Sequence, residues 1–279
     1  MRLDRIVTLV FLIAITQGFL LVFDPSGGIF SRTIDQNLTG PLTLVILSAL
    51  VVITIGIADA VVRSHPQSYL LRLPAVRIKS NKFEFAPFSW VLPGLLVVGS
   101  YLFMRLFGDP AIQVTGTIIS SILILGVIIA QYYSVGRQER FYGWAVIGLN
   151  VAAYVAGFLI FSSIYVNKWR ALQSAPLVGL TGMLLTYELL HQTKTQSRSL
   201  VIYCAVIGVV LAEVTWALNY WLVSVLVGGI VPLLICYVLI GIMQAHLTKN
   251  LNKSVAREYL LVSIFSIALV TWAVLANLK

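Results

Sequence analysis

Hydrophobic residues occur in long continuous runs separated by short polar segments. A hydrocarbon core about 30 Å thick needs about 20 apolar residues per helix, and nine runs approach or exceed that length. They cover residues 5–23, 41–62, 87–104, 112–133, 144–166, 176–192, 200–221, 223–247 and 259–278. Because the runs are continuous and not alternating, they predict helices and not barrel strands. The expected fold is all-α, a polytopic transmembrane helix bundle of about nine spans in one integral membrane domain, residues 1–279.

The composition supports a membrane location. Hydrophobic residues make up 59% of the chain and charged residues only 10%, whereas soluble domains average about 25% charged residues. The first run begins after Arg2 and Arg5 and is longer than the apolar core of a signal peptide, and "DPSGG" offers no small-residue cleavage site. We therefore expect a retained anchor; cleavage would reduce the count to eight spans.

The positive charges predict an orientation. With a cytoplasmic amino terminus and nine crossings, fourteen of the nineteen Lys and Arg residues fall on the inner side. The five on the outer side are Arg32, Arg105, Lys168, Arg170 and Lys279. The positive-inside rule then predicts an N-in, C-out topology. This bias accounts for most of the net charge of +9, so nucleic acid is not required, and the inner loops are expected to contact anionic lipid headgroups.

One carboxylate, Glu213, interrupts the apolar segment "VVLAEVTWALNYW". It lies about eight residues, or about 12 Å, from the outer end of its run. A charged residue at the centre of a span costs roughly 2.5–3.5 kcal/mol on insertion scales and usually has a partner or a proton. Trp216 and Tyr220 share nearly the same helix face, and Asn219 lies about 120° away. These residues predict either a polar binding site or a structural hydrogen bond to another helix.

Other charged residues form helical pairs. Asp59 and Arg63 at the inner end of the second run, and Arg105 and Asp109 at the outer end of the third, have i, i+4 spacing. We expect both pairs to be structural. Arg105 also belongs to the same outer half as Glu213, so an ion pair between the two is a further hypothesis.

Motifs for catalysis are missing from the sequence. There is no P-loop, G-x-S-x-G, H-E-x-x-H or C-x-x-C pattern, so we predict no catalytic residue, metal or cofactor. Glu188 and His191 have metal-ligand spacing, but a bundle site needs two such pairs, and we expect a polar helix end that meets water. Cys204 and Cys236 lie inside apolar runs and are expected to be buried small hydrophobic residues.

Helix-breaking residues occur in two runs. Pro93-Gly94 in the third and Gly228-Gly229 with Pro232 in the eighth are five spans apart, an offset found in inverted-repeat transporters with broken helices. The alternative, which we favour, is that Pro and Gly are simply common in membrane helices. Between the second and third runs, "LPAVRIKSNKFEFAP" (73–87) alternates basic with apolar residues, and we expect it to lie along the membrane surface.

The segment "AEVTWALNYWLVSVLVGGIVPLLICYVLIGIMQ" (212–244) resembles multi-pass bacterial membrane proteins of unknown function. The resemblance covers that helical hairpin and the general layout of the spans. It implies a bacterial inner membrane and brings no functional residues.

Three hypotheses about function remain. The first is a transport-like or ligand-binding membrane protein whose polar site contains Glu213, Trp216 and Asn219. The second is a membrane scaffold or subunit in which Glu213 is a packing device. A membrane enzyme that modifies lipids is the third. The first predicts an accessible cavity at Glu213, and the second predicts dense packing with a satisfied hydrogen bond.

Overall fold

The computed structural model describes most of the chain. The described residues are 3–22, 36–66, 75–78, 81–84, 86–136, 140–167, 171–191, 198–220, 225–248, 257, 259–265, 267–268 and 271.

Helices form at the predicted apolar runs. They are α1 Leu3–Val22, α2 Gln36–Arg63, α3 Phe88–Met104, α4 Pro110–Tyr133, α5 Tyr142–Val166, α6 Ala171–His191, α7 Arg198–Asn219 and α8 Val225–Leu247. In the ninth run, residues 259–265 are helical. The helical fold class is thus confirmed, with ends within about five residues of the predicted ones. The count of nine membrane crossings and the orientation stay predictions.

Five helices among the described residues are long and apolar enough to cross a membrane. They are α2 from Pro41, α4, α5, α7 from Leu200 and α8 from Gly228, whereas α1 and α3 are shorter apolar helices. Helix α6 differs, because it carries buried polar residues such as Thr181, Thr186 and Glu188, and eleven of its 21 residues are buried. A helix enclosed by other helices needs less apolar surface than one that faces lipid.

A short β-hairpin interrupts the helical fold between α2 and α3. Strand β1, Ala75–Ile78, pairs antiparallel with β2, Asn81–Glu84, and Arg77 is the register partner of Lys82. This hairpin was not predicted, although the alternation of Val76, Arg77 and Ile78 in β1 is typical of strands. The expected location of this segment at the membrane surface stays a prediction.

The chain folds into two compact units, residues 1–152 and 153–279. In the first unit, α1 packs against α2, α3 and α4, and Gln17 lies at the centre of this packing with 1% of its surface exposed. Its amide nitrogen donates to the Val97 carbonyl at 3.1 Å and to the Ser100 hydroxyl at 3.0 Å, and Ser120 donates to its Oε1 at 3.4 Å. A buried polar side chain in this apolar helix thus finds its partners on α3 and α4.

The predicted pair between Asp59 and Arg63 is confirmed, and the structure adds further partners. The side chains meet at 2.6 Å, while Asp59 is only 4% exposed. Its Oδ1 accepts hydrogen bonds from the backbone N–H of Ala86 at 2.7 Å and from the indole N–H of Trp90 at 3.1 Å. The carboxylate of Asp59 therefore joins the end of α2 to the start of α3. Its buried charge is compensated by Arg63 and by the two hydrogen bonds.

In the second unit, α6 and α7 pack closely along small residues. A Cβ added at Gly179 would lie 2.8 Å from the carbonyl oxygen of Gly208 and 3.0 Å from Cβ of Ala212. A Cβ added at Gly208 would likewise lie 2.8 Å from the Gly179 carbonyl oxygen. Together with Ala175, these residues place small side chains four positions apart on both helices, the spacing that lets membrane helices approach closely.

The suspected helix breaks are not present. Helix α3 continues through Pro93, and α8 continues through Pro232. A Cβ at either Gly228 or Gly229 would overlap α5, at Tyr165 and Ser162 respectively. These glycines therefore provide close packing of α8 on α5, as expected from the general use of glycine in membrane helices.

Candidate functional site

A groove runs along α6 and α7 on the side that carries Glu213. Its volume is about 440 Å³. The residues that line it are Ala175, Pro176, Val209, Ala212, Glu213, Trp216 and Ala217. Glu213 is the only charged residue in this lining, and three alanines make the groove wide because they leave space that larger side chains would fill. The close contact of α6 with α7 fixes the position of both walls.

Glu213 is exposed on α7 and not enclosed by the second unit. Among the described residues of the second unit it has no hydrogen bond or ion pair. It lies six residues before Asn219, the last residue of α7, which places it about 9 Å along the axis from the helix end. The hydrogen bond expected of a packing device is therefore not found in the described part of the chain, and the carboxyl group faces an open, otherwise apolar groove.

Trp216 lies beside Glu213 in the same groove and is 44% exposed. Asn219 has a different role: its amide nitrogen donates to the hydroxyl of Ser174 on α6 at 2.7 Å. Tyr220 follows the end of α7 and is 76% exposed. Of the residues predicted around Glu213, the structure thus brings Trp216 into the groove lining. Asn219 joins the end of α7 to the start of α6.

Arg105 belongs to the first unit, where it follows the end of α3. It is exposed, and its guanidinium carbon lies 5.9 Å from the ring centroid of Tyr101. Asp109 was expected to share a helix with Arg105, but it is the N-cap of α4 and accepts a hydrogen bond from the backbone N–H of Ala111 at 2.9 Å. A residue that caps α4 cannot be an i, i+4 neighbour on α3. The pairing of Arg105 with Glu213 stays a prediction.

A second acid, Glu188, has an environment that was predicted wrongly. It was expected at a helix end that meets water, but it is 3% exposed, and its Oε2 has no hydrogen-bond partner among the described residues. His191 is half-buried and stacks on Tyr187, with ring centroids 5.6 Å apart. In the sequence, the burial of Glu188 is indicated only by the small residues of α6, which are typical of a helix packed on several sides.

The remaining metal-ligand residue types do not assemble in the described part of the chain. No group of three or more His, Cys, Asp or Glu side chains comes together there. Cys204 and Cys236 are free thiols and both are buried, as predicted for small hydrophobic residues. Glu213 in the groove and Glu188 are thus two acids for which the described residues of the second unit supply no partner.

Comparison with known proteins assigns a family. No curated protein and no solved structure matches the chain. A family model described as "Protein of unknown function (DUF5656)" matches residues 31–273, which is most of the chain and includes the groove. The chain therefore belongs to this family of unknown function, DUF5656.

Proposed function

We propose that this protein is a ligand-binding integral membrane protein, and that the groove between α6 and α7 is its binding site. The observation that carries the proposal is the exposed carboxyl group of Glu213, which has no partner among the described residues and lies in an otherwise apolar groove. Ligand sites are typically apolar with a small number of polar groups that orient the ligand. The groove has this composition, with Glu213 as the polar group.

The energetics of the acid support the same conclusion. At the depth of Glu213, an ionised carboxylate without a partner costs up to roughly 2.5–3.5 kcal/mol on insertion scales. A structural role would recover this cost through a hydrogen bond within the fold, and the described residues supply none. A bound group that donates a hydrogen bond or carries a positive charge would recover it instead.

The size of the groove fits a small molecule. Its volume of about 440 Å³ falls within the roughly 300–1,000 Å³ of typical ligand sites. On α7 the lining extends from Val209 to Ala217, which lie eight positions or about 12 Å apart along the helix axis. Because the lining is apolar, a ligand that partitions into the membrane is favoured over a water-soluble one.

We also propose a multi-pass location in a bacterial inner membrane with N-in, C-out topology. Fourteen of nineteen cationic residues on one side support the orientation. Basic residues near α2 and the hairpin, among them Arg63, support contact with anionic lipid headgroups. The scaffold hypothesis predicted a hydrogen bond between Glu213 and another helix, and the described residues supply none. No contact among the described residues supports a lipid-modifying enzyme.

The test is extraction of ligands from the purified full chain. Protein purified in mild detergent is extracted with organic solvent, and the small molecules are identified by mass spectrometry. Ala217→Phe places a large side chain in the groove, whereas Val206→Phe changes another exposed residue of α7 that does not line it. The proposal predicts a molecule retained by the wild type and Val206→Phe but lost from Ala217→Phe. Identical extracts from all three proteins would contradict it.

A further inference from the structure

We propose that the ligand of the α6–α7 groove is a cationic amphiphile, an alkyl chain or ring system that carries an ammonium or guanidinium group. This inference rests on the proposed function and specifies its substrate class. In this arrangement the positive group meets Glu213 and Trp216, while the apolar part lies along Val209, Ala212 and the walls contributed by α6.

Charge complementarity is the first argument. The groove lining contains one acid and no basic residue. A negatively charged headgroup would therefore meet like charge in a medium of low dielectric constant, where repulsion is strong. A neutral donor would satisfy the carboxyl group but would leave its charge uncompensated. A cation provides both the hydrogen bond and the opposite charge.

The neighbouring aromatic residue is the second argument. Trp216 follows Glu213 by three positions on α7 and lines the same groove, so the Cβ atoms of the two residues are about 5–6 Å apart. Aromatic rings attract cations through the negative charge density over their faces, and Trp does so most strongly. An indole beside a carboxylate is the combination expected for an ammonium group, and neither residue favours an anion.

The dimensions argue for an amphiphile over a transmembrane helix of a partner protein. The lining on α7 spans about 12 Å, from Val209 to Ala217, whereas a helix that crosses the bilayer would contact a neighbour over a large part of about 30 Å. Pro176 closes part of the α6 side of the groove. A small molecule with one positive end fits this length.

The experiment uses the full chain reconstituted in phosphatidylcholine vesicles. Three photoreactive probes share one alkyl chain and differ in the headgroup, which is a primary ammonium, hydroxyl or sulfonate. After irradiation, adducts on the peptide that contains Val209–Ala217 are quantified by mass spectrometry. The inference predicts about tenfold more labelling by the ammonium probe than by the hydroxyl probe, which corresponds to about 1.4 kcal/mol, and least labelling by the sulfonate.

Two variants separate charge recognition from groove binding. Glu213→Gln keeps the shape and is expected to reduce ammonium labelling to the level of the hydroxyl probe, while hydroxyl labelling is unchanged. Trp216→Leu is expected to lower ammonium labelling by about threefold. The hydroxyl signal in both variants reports that the groove is still folded.

The outcomes distinguish the two proposals. Equal labelling of the wild-type groove by all three probes would overturn the inference and leave the proposed function standing. Absence of labelling by every probe would contradict both. Attachment of a co-purified polypeptide at the groove, in place of the probes, would show that a partner helix occupies it and would overturn the cationic amphiphile.

Discussion

The close contact between α6 and α7 makes a quantitative prediction. A Cβ at Gly179 would lie 2.8 Å from the Gly208 carbonyl oxygen, whereas ordinary van der Waals contact begins at 3.4 Å. The helices must therefore separate locally by about 0.6 Å if Gly179 becomes Ala. A gap of 0.5–1 Å removes about a quarter to a half of the dispersion energy of the atoms along it, and overpacking of this kind typically costs about 1–3 kcal/mol.

The control is Gly126→Ala on α4. An added Cβ there meets nothing within 4 Å, so this variant receives the gain in helix propensity of about 0.8–1 kcal/mol without a steric cost. The gain applies equally to Gly179→Ala. The difference between the two variants therefore isolates the contact, and we expect Gly179→Ala to be less stable than Gly126→Ala by about 1–3 kcal/mol.

The assay is thermal unfolding in detergent micelles, followed by fluorescence-detected size exclusion. For a chain of this size, 1 kcal/mol corresponds to a Tm shift of about 2–4 °C. We therefore expect Gly179→Ala to melt several degrees below Gly126→Ala. Because the same contact positions both walls of the groove, Gly179→Ala should also retain less ligand. A Gly179→Ala variant as stable as Gly126→Ala would refute the close approach of the two helices.

Three further predictions concern the first unit and the topology. Gln17→Leu should lower the free energy of unfolding by about 0.6–1.7 kcal/mol, the range measured for hydrogen bonds between membrane helices, and unchanged stability in the same thermal assay would contradict the network with Ser100. Asp59→Ala should cost about 1–3 kcal/mol because the indole N–H of Trp90 and the backbone N–H of Ala86 lose their acceptor, whereas Asp59→Asn should cost less; equal loss in the two variants would argue against hydrogen bonding as the cause. For topology, a maleimide that does not cross membranes should label Gly108→Cys on intact cells and Ser64→Cys only after lysis. The native cysteines are buried and form an unreactive background, and the reverse labelling pattern would contradict the N-in orientation.

The helices could be predicted because each apolar run is long and continuous. In a membrane, the backbone N–H and C=O groups of such a run must form hydrogen bonds within the segment, so the run has few alternatives to a helix. The β-hairpin was missed because its strands are four residues each and its alternation resembles that of an amphipathic surface segment. Helix α6 was predicted from its apolar residues. Its polar residues are tolerated because neighbouring helices bury them.

The rotation of each helix about its own axis could not be predicted, and it decides the role of each acid. The sequence places Glu213 and Glu188 in similar apolar surroundings, yet one is exposed and the other is buried. Exposure depends on which face meets a neighbouring helix, and that depends on contacts distant in sequence, such as Asn219 with Ser174. The i+3 placement of Trp216 beside Glu213 was predictable, because it follows from helix geometry alone.

The contact between α6 and α7 is also indicated by the spacing of small residues in the sequence. Ala175 and Gly179 on α6, and Gly208 and Ala212 on α7, each have small-xxx-small spacing. This spacing is enriched where membrane helices pack closely, and it would have predicted the contact that positions the groove.

Modification by a hydrophobic carbodiimide tests most directly whether the carboxyl group of Glu213 is open to the membrane phase. The reagent partitions into lipid and adds to accessible carboxyl groups, and mass spectrometry locates the adduct. We predict modification of Glu213 in native membranes, none of the buried Glu188, and protection of Glu213 by the ammonium amphiphile. Modification of Glu188 with an unmodified Glu213 would contradict the account.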